Sequence, residues 1–116
     1  MSLRIDIDDI DERCDDMVFY QGRPFTGVLY ELYPDGTLHY EGEHVGGFPS
    51  GYLREWWPNG NKQLEVIYAN SKNPNGKTTK WYENGSIEEF TEGSKADGTF
   101  HKKKWGVNGE LVEEIV

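Results

Sequence analysis

Gly76-Lys77-Thr78 has the residue types of the end of a phosphate-binding loop. Such a loop needs a glycine five residues before Gly76, so that backbone amides can wrap the phosphates. Ser71 stands there, and a strand pattern rather than a helix follows. The acidic run from Asp6 to Asp16 suggests calcium, whose helix–loop–helix site wants oxygen ligands at loop positions one, three and five, a glycine at six and a glutamate at twelve. Counting from Asp6, those last three positions hold Ile10, Asp11 and Met17, so the pattern fails. His39 and His44 are five apart, which sets them on opposite faces of a continuous strand, and no cysteine lies beside them for zinc. Cys14 sits among acids, which should raise its pKa rather than activate it. Ser86 follows a turn glycine and occupies no nucleophile elbow. Lys102-Lys103-Lys104 before Trp105 is a single basic cluster in an acidic chain, a weak basis for nucleic-acid binding. The expectation is a protein without catalytic residues, cofactor or metal.

The elements that carry these residues are organised by a repeat. Leu32-Tyr33-Pro34-Asp35-Gly36, Trp56-Trp57-Pro58-Asn59-Gly60, Trp81-Tyr82-Glu83-Asn84-Gly85 and Trp105-Gly106-Val107-Asn108-Gly109 share one pattern. Their last glycines are 24, 25 and 24 residues apart. Gly27, Gly51 and Gly76 each stand nine residues before the turn glycine, whereas Gly98 stands eleven before, which implies an insertion in the fourth unit. A fixed period of this length signals units that stack on their neighbours. Asp-Gly or Asn-Gly between apolar-bearing runs reads as a β-hairpin whose turn needs positive φ. Val28, Tyr30 and Leu32 alternate with Leu29, Glu31 and Tyr33; Tyr52, Arg54 and Trp56 alternate with Leu53, Glu55 and Trp57. Such alternation puts the two sets on opposite faces of a strand. Leu38, Ile87 and Leu111 occupy one position after the turn, and Lys62 departs from it. Fourteen glycines spread along 116 residues argue against long helices.

Mean hydropathy is -0.79, yet 14% of the residues are aromatic, unlike a disordered chain. This supply faces a thin sheet and does not build a three-layer core. The expected fold is all-β: about four antiparallel hairpin units of 24 residues in a twisted meander. It forms one domain over 1–116, with an acidic cap over 1–23 and repeats over 24–116. Leu3, Ile5 and Ile7 alternate with Arg4, Asp6 and Asp8, which predicts a capping strand within Leu3–Asp16 whose charges discourage edge aggregation. Residues 69–75 read as a polar loop.

The net charge of -9 gathers at the ends. Residues 1–16 carry seven acids against two arginines, and residues 110–116 carry three acids and no base. A chain of this charge avoids nucleic acid and anionic membrane and attracts a basic protein. One cysteine leaves no internal disulfide. The residues include neither an apolar run of spanning length nor a signal-peptide core, and a cytoplasmic location is the expectation.

The repeat resembles the MORN-variant repeat. The opening Leu3-Arg4-Ile5-Asp6-Ile7-Asp8-Asp9 and the motif Tyr20-Gln21-Gly22-Arg23-Pro24-Phe25-Thr26-Gly27, in register with the units, look like the YwqK family of bacterial antitoxins. The resemblance spans roughly residues 3–113; Gly106, where an aromatic is usual, and the displaced Gly98 depart from it. It implies hairpin repeats, a toxin protein as partner and no catalytic residue.

The aromatics divide by face. Trp56, Trp81 and their neighbours are expected to form the cross-strand ladder that holds the sheet. Tyr33, Trp57 and Tyr82 then lie on the other face and must be covered or used: one aromatic face is core or pairs in a homodimer, and the other or the acidic rim meets a partner. Together with the acidic rim of Asp6, Asp8 and Asp9 they are the expected binding residues for a protein partner, a basic toxin on the family resemblance. The alternative is a scaffold module that joins other proteins or touches membrane.

Overall fold

The computed structural model describes residues 3–14, 17–69, 75–94 and 98–115. Asp15, Asp16, most of the polar loop (70–74) and residues 95–97 lie outside them. The described residues form twelve strands and a single turn of 3-10 helix. The strands are β1 (Arg4–Asp6), β2 (Glu12–Cys14), β3 (Met17–Tyr20), β4 (Arg23–Pro24), β5 (Gly27–Leu32), β6 (Leu38–Val45), β7 (Phe48–Trp56), β8 (Lys62–Ile67), β9 (Asn75–Trp81), β10 (Ile87–Ser94), β11 (Phe100–Trp105) and β12 (Leu111–Ile115). Strands β5 to β12 follow one another across one sheet, each antiparallel to the last, and β1 adds a ninth strand beside β5. The hairpin meander expected from the repeat is therefore the observed fold.

Each unit is a hairpin closed by the same turn. In the first, the Gly36 N–H donates to the Tyr33 carbonyl at 2.8 Å and the Tyr33 N–H donates to the Thr37 carbonyl at 2.7 Å. The same pair of bonds closes the turns at Gly60, Gly85 and Gly109. Positive φ falls on the glycine alone, at 90° for Gly36, and not on the preceding Asp or Asn. The turn is thus a three-residue loop ending in a glycine bulge rather than a two-residue turn with both residues left-handed. The Asp or Asn is there for its side chain. Asp35, Asn59 and Asn84 each accept, at 2.9 Å, the N–H of the residue two positions on, the local bond that makes these residues turn formers.

The expected capping strand folds in two parts. Arg4–Asp6 pairs with β5, and it does so in parallel. The Asp6 carboxylate then accepts the Asp8 N–H at 2.9 Å and turns the chain into the 3-10 helix Ile7–Asp9. Strands β2, β3 and β4 make a separate small sheet. Gly27 allows the edge contact: a Cβ there would collide with the Leu3 carbonyl oxygen, which accepts the Val28 N–H at 2.7 Å.

The core lies where the small sheet covers the large one. Val18, Phe25 and Leu29 are fully buried, with Ile5, Ile7, Ile10, Tyr20 and Tyr40 packed around them. His44 is buried beside Phe25, its ring centroid 6.0 Å away, and belongs to this core. His39 instead stacks on the Tyr33 ring at 4.3 Å at the turn end of the same strand. Beyond β7 the described residues form a single layer. The radius of gyration is 16.1 Å, against about 13 Å for a compact domain of this length. Three buried side chains cannot offset the ordering of the whole chain. Lateral pairing along the sheet must supply the rest.

Candidate partner-binding surface

That lateral pairing begins with the rings assigned to binding. The Tyr33 hydroxyl donates to the Trp56 carbonyl at 2.6 Å. The Trp57 indole N–H donates to the Trp81 carbonyl at 3.1 Å. The Tyr82 hydroxyl donates to the Trp105 carbonyl at 2.8 Å. Each ring starts at one turn and reaches, two strands away, the residue just before the equivalent position of the next unit. Two strand spacings are about 9.5 Å, so only a long side chain with a donor at its tip spans them. All three rings are half-buried. Their polar tips are committed to the repeat stack, and a partner can meet only their ring surfaces. The turns reinforce these ties: Asn59 and Asn61 both donate to the Glu83 carbonyl at 2.9 Å, and the Ser86 hydroxyl donates to the Val107 carbonyl at 3.2 Å.

The fourth unit has Gly106 at the position of these rings. No described strand lies beyond β12 for a ring to reach. Lys62, the departure after the second turn, holds its ammonium 5.5 Å from the Trp81 ring centroid and 3.0 Å from Glu65.

Residues paired across the strands share a face, and both faces carry rows of alternating charge. On the face away from the small sheet, Tyr30, Glu41, Arg54, Glu65, Thr79, Phe90, Lys103 and Glu114 form one row. Arg4 meets Glu41 at 2.6 Å, Arg54 meets Glu65 at 2.8 Å, and Lys103 meets Glu114 at 3.4 Å. Arg4 and Arg54 also lie over the Tyr30 and Tyr52 rings, at 4.6 and 4.3 Å. The Arg54 hydrogen bond, helped by Lys62, holds the Glu65 carboxyl below its usual range against the opposing effect of burial. Burial raises the Tyr33 phenol, and the carboxylates of Glu55, Asp35 and Glu31 raise it further.

On the other face, Leu64, Lys80, Glu89, Lys104 and Glu113 form a row. Glu89 lies 3.7 to 3.9 Å from the ammonium groups of Lys80, Lys102 and Lys104, and Lys102 also reaches Glu113 at 3.8 Å. The basic run 102–104 is therefore paired within the sheet. Lys77, from the phosphate-loop lookalike, sits on strand β9 facing Glu92 at 3.7 Å.

The two edges of the sheet differ. At β1 the edge is three residues long, charged, and ended at once by the 3-10 turn, as a protected edge should be. Asp6 serves that turn, while Asp8 and Asp9 are exposed on it. At β12 all five residues are exposed, with Leu111 at 51%, Val112 at 61% and Ile115 at 43%. This second edge was not singled out in the sequence, although apolar Leu111, Val112 and Ile115 around two glutamates were its signal. An open groove lined by Val66, Gly76, Thr78, Gly93 and Phe100 lies between the sheet's middle and this end. Among the described residues no three His, Cys, Asp or Glu side chains gather as a metal-binding group, and no helix is long and apolar enough to cross a membrane. Comparison with family models, curated proteins and solved structures gave no match.

Proposed function

We propose that this chain is a non-catalytic protein-binding module that holds a basic protein partner and, as the antitoxin resemblance implies, neutralises it as a toxin. The observation that carries the reading is the sheet beyond β7, one layer thick, with aromatic rings on it and an apolar, acidic edge. An exposed apolar surface rimmed by charge is what interaction sites have. Net charge of -9 favours encounter with a basic surface. The exposed carboxylates of Asp8 and Asp9 add to that field from the other end of the sheet.

The test is affinity capture with the purified chain, followed by reconstitution of the captured protein at defined stoichiometry. The expected result is one basic protein, bound one to one, that arrests growth when expressed alone and is harmless when co-expressed with this chain. A captured protein that is harmless alone, or whose toxicity the chain does not relieve, overturns the antitoxin reading and leaves a scaffold. A bait that binds nothing overturns protein binding itself.

A further inference from the structure

We infer that the outer edge of β12 accepts an extended segment of the partner as a tenth strand, and that this segment carries adjacent basic residues opposite Glu113 and Glu114. The inference deepens the protein-binding reading and rests on it.

Three observations converge on this edge. Strand β12 pairs with β11 alone, so the outward half of its backbone N–H and C=O groups has no strand partner among the described residues. Such a row is a template for another chain. Its side chains Leu111, Val112 and Ile115 are exposed apolar groups, Val112 at 61%. The third observation is charge. Along the row through Lys80, Glu89, Lys104 and Glu113, the sign alternates from strand to strand. Along the other face Lys103 is answered by Glu114. Both rows stop on an acid at β12. The next position on each face therefore calls for a base, and because Glu113 and Glu114 are neighbours, the two bases must be neighbours too. Opposite charges directly across strands stabilise a pairing and like charges oppose it.

The same logic selects against pairing with β12 of a second copy of this chain. An antiparallel copy centred on the strand sets Glu113 against its own counterpart and Glu114 against Val112. A copy shifted to centre on Glu114 sets Glu114 against itself. Neither register supplies a base.

The experiment uses the full chain and a fluorescein-labelled decapeptide of alternating threonine and valine around a central Lys-Arg pair. Matched peptides carry Thr-Thr or Glu-Glu at the centre. The Lys-Arg peptide is expected to bind roughly tenfold more tightly than the Thr-Thr peptide, the product of two exposed cross-strand ion pairs. Near 1 M salt that preference should vanish. Hydrogen exchange should slow in residues 111–115 and stay unchanged in β5 to β8. The double variant Glu113→Gln, Glu114→Gln should bind the Lys-Arg and Thr-Thr peptides equally. Glu113→Lys with Glu114→Lys, checked for fold by circular dichroism, should prefer the Glu-Glu peptide. Equal binding of all peptides by the native chain, protection that misses β12 or extends to β5–β8, or no binding overturns the inference. So does protection of 111–115 that grows with protein concentration in the absence of peptide, which would mark a homodimer edge. If a captured basic protein binds both double variants as well as it binds the native chain, the edge inference fails while the protein-binding reading stands.

Discussion

Replacing Tyr82 with phenylalanine separates the inter-unit tie from the ring that carries it. The phenol donates to the Trp105 carbonyl across the intervening strand β10, at 2.8 Å and half-buried. Phenylalanine keeps the ring and loses only the donor. A neutral hydrogen bond of this kind contributes about 1 kcal/mol net. In a repeat array that loss belongs to the interface between two neighbouring units. The consequence is local. Opening of β11 and β12 becomes easier by about 1 kcal/mol, a factor of about five in the open population, while the core around Leu29 is unaffected. Native-state hydrogen exchange followed by NMR reads this strand by strand. Amides of β11 and β12 should exchange about fivefold faster in Tyr82→Phe, with those of β5 and β6 unchanged. Uniform acceleration across all strands would refute the argument, because the sheet would then open as one unit. No acceleration anywhere would refute it too, because the bond would then contribute nothing.

Other perturbations probe the remaining supports. Leu29→Ala empties the centre of the small core and should cost about 2–5 kcal/mol, read as a lower urea midpoint with loss of protection in β3 and β5; a cost below about 1 kcal/mol would mean the small sheet does not stabilise the large one. Glu65 has a depressed folded pKa, so its contribution is present above the ordinary glutamate range and is lost as pH falls through the folded value. In Glu65→Gln the acid limb of melting temperature against pH should flatten, and an unchanged limb would show that Arg54 and Lys62 do not stabilise through it. Tyr33 has a raised pKa, so its contribution is complete below the ordinary phenol value and is lost as pH rises through the folded one. Tyr33→Phe should lower stability at neutral pH and flatten the alkaline limb; retention of the native limb would place the alkaline loss elsewhere, for instance at Tyr52 or Tyr68, whose phenols burial also raises.

The hairpins were legible because their causes are local. An Asp or Asn that can bond its own backbone two residues on, followed by a glycine that can take positive φ, marks a turn wherever it recurs. Alternation then fixes which residues share a face. The ties between units were not legible, because the acceptor in each is a backbone carbonyl 23 or 24 residues away, and no side-chain type marks it. One trace existed. At Tyr33, Trp57 and Tyr82 the ring always carries a donor and is never phenylalanine. The carbonyls of Trp56 and Trp81 accept two of these ties, and Tyr33 and Trp57, expected on a free face, reach over a strand to them. At the N-terminus, the alternation of Leu3, Ile5 and Ile7 predicted one strand. A single side-chain bond from Asp8 N–H to Asp6 breaks it after three residues, and the parallel pairing with β5 has no local signal at all.

The sheet is held in two different ways along its width, and this difference bears on what it can do. From β1 to β7 a second layer buries Val18, Phe25 and Leu29. From β8 to β12 the described structure has rings that reach over a strand and charges that answer one another laterally. Interactions of the second kind are at most half-buried, individually worth a few tenths to about 1 kcal/mol, and act only between neighbours. The last strand is therefore supported from one side, and opening free energy should fall toward it. A ligand that binds the closed form of such an edge stabilises it by mass action. A partner strand on β12 would give β11 and β12 what β1 gives β5, a neighbour that fixes the edge. Binding and ordering of the terminal hairpin are then one equilibrium, in which weakening the Tyr82 tie must also weaken capture at an edge that Tyr82 never touches.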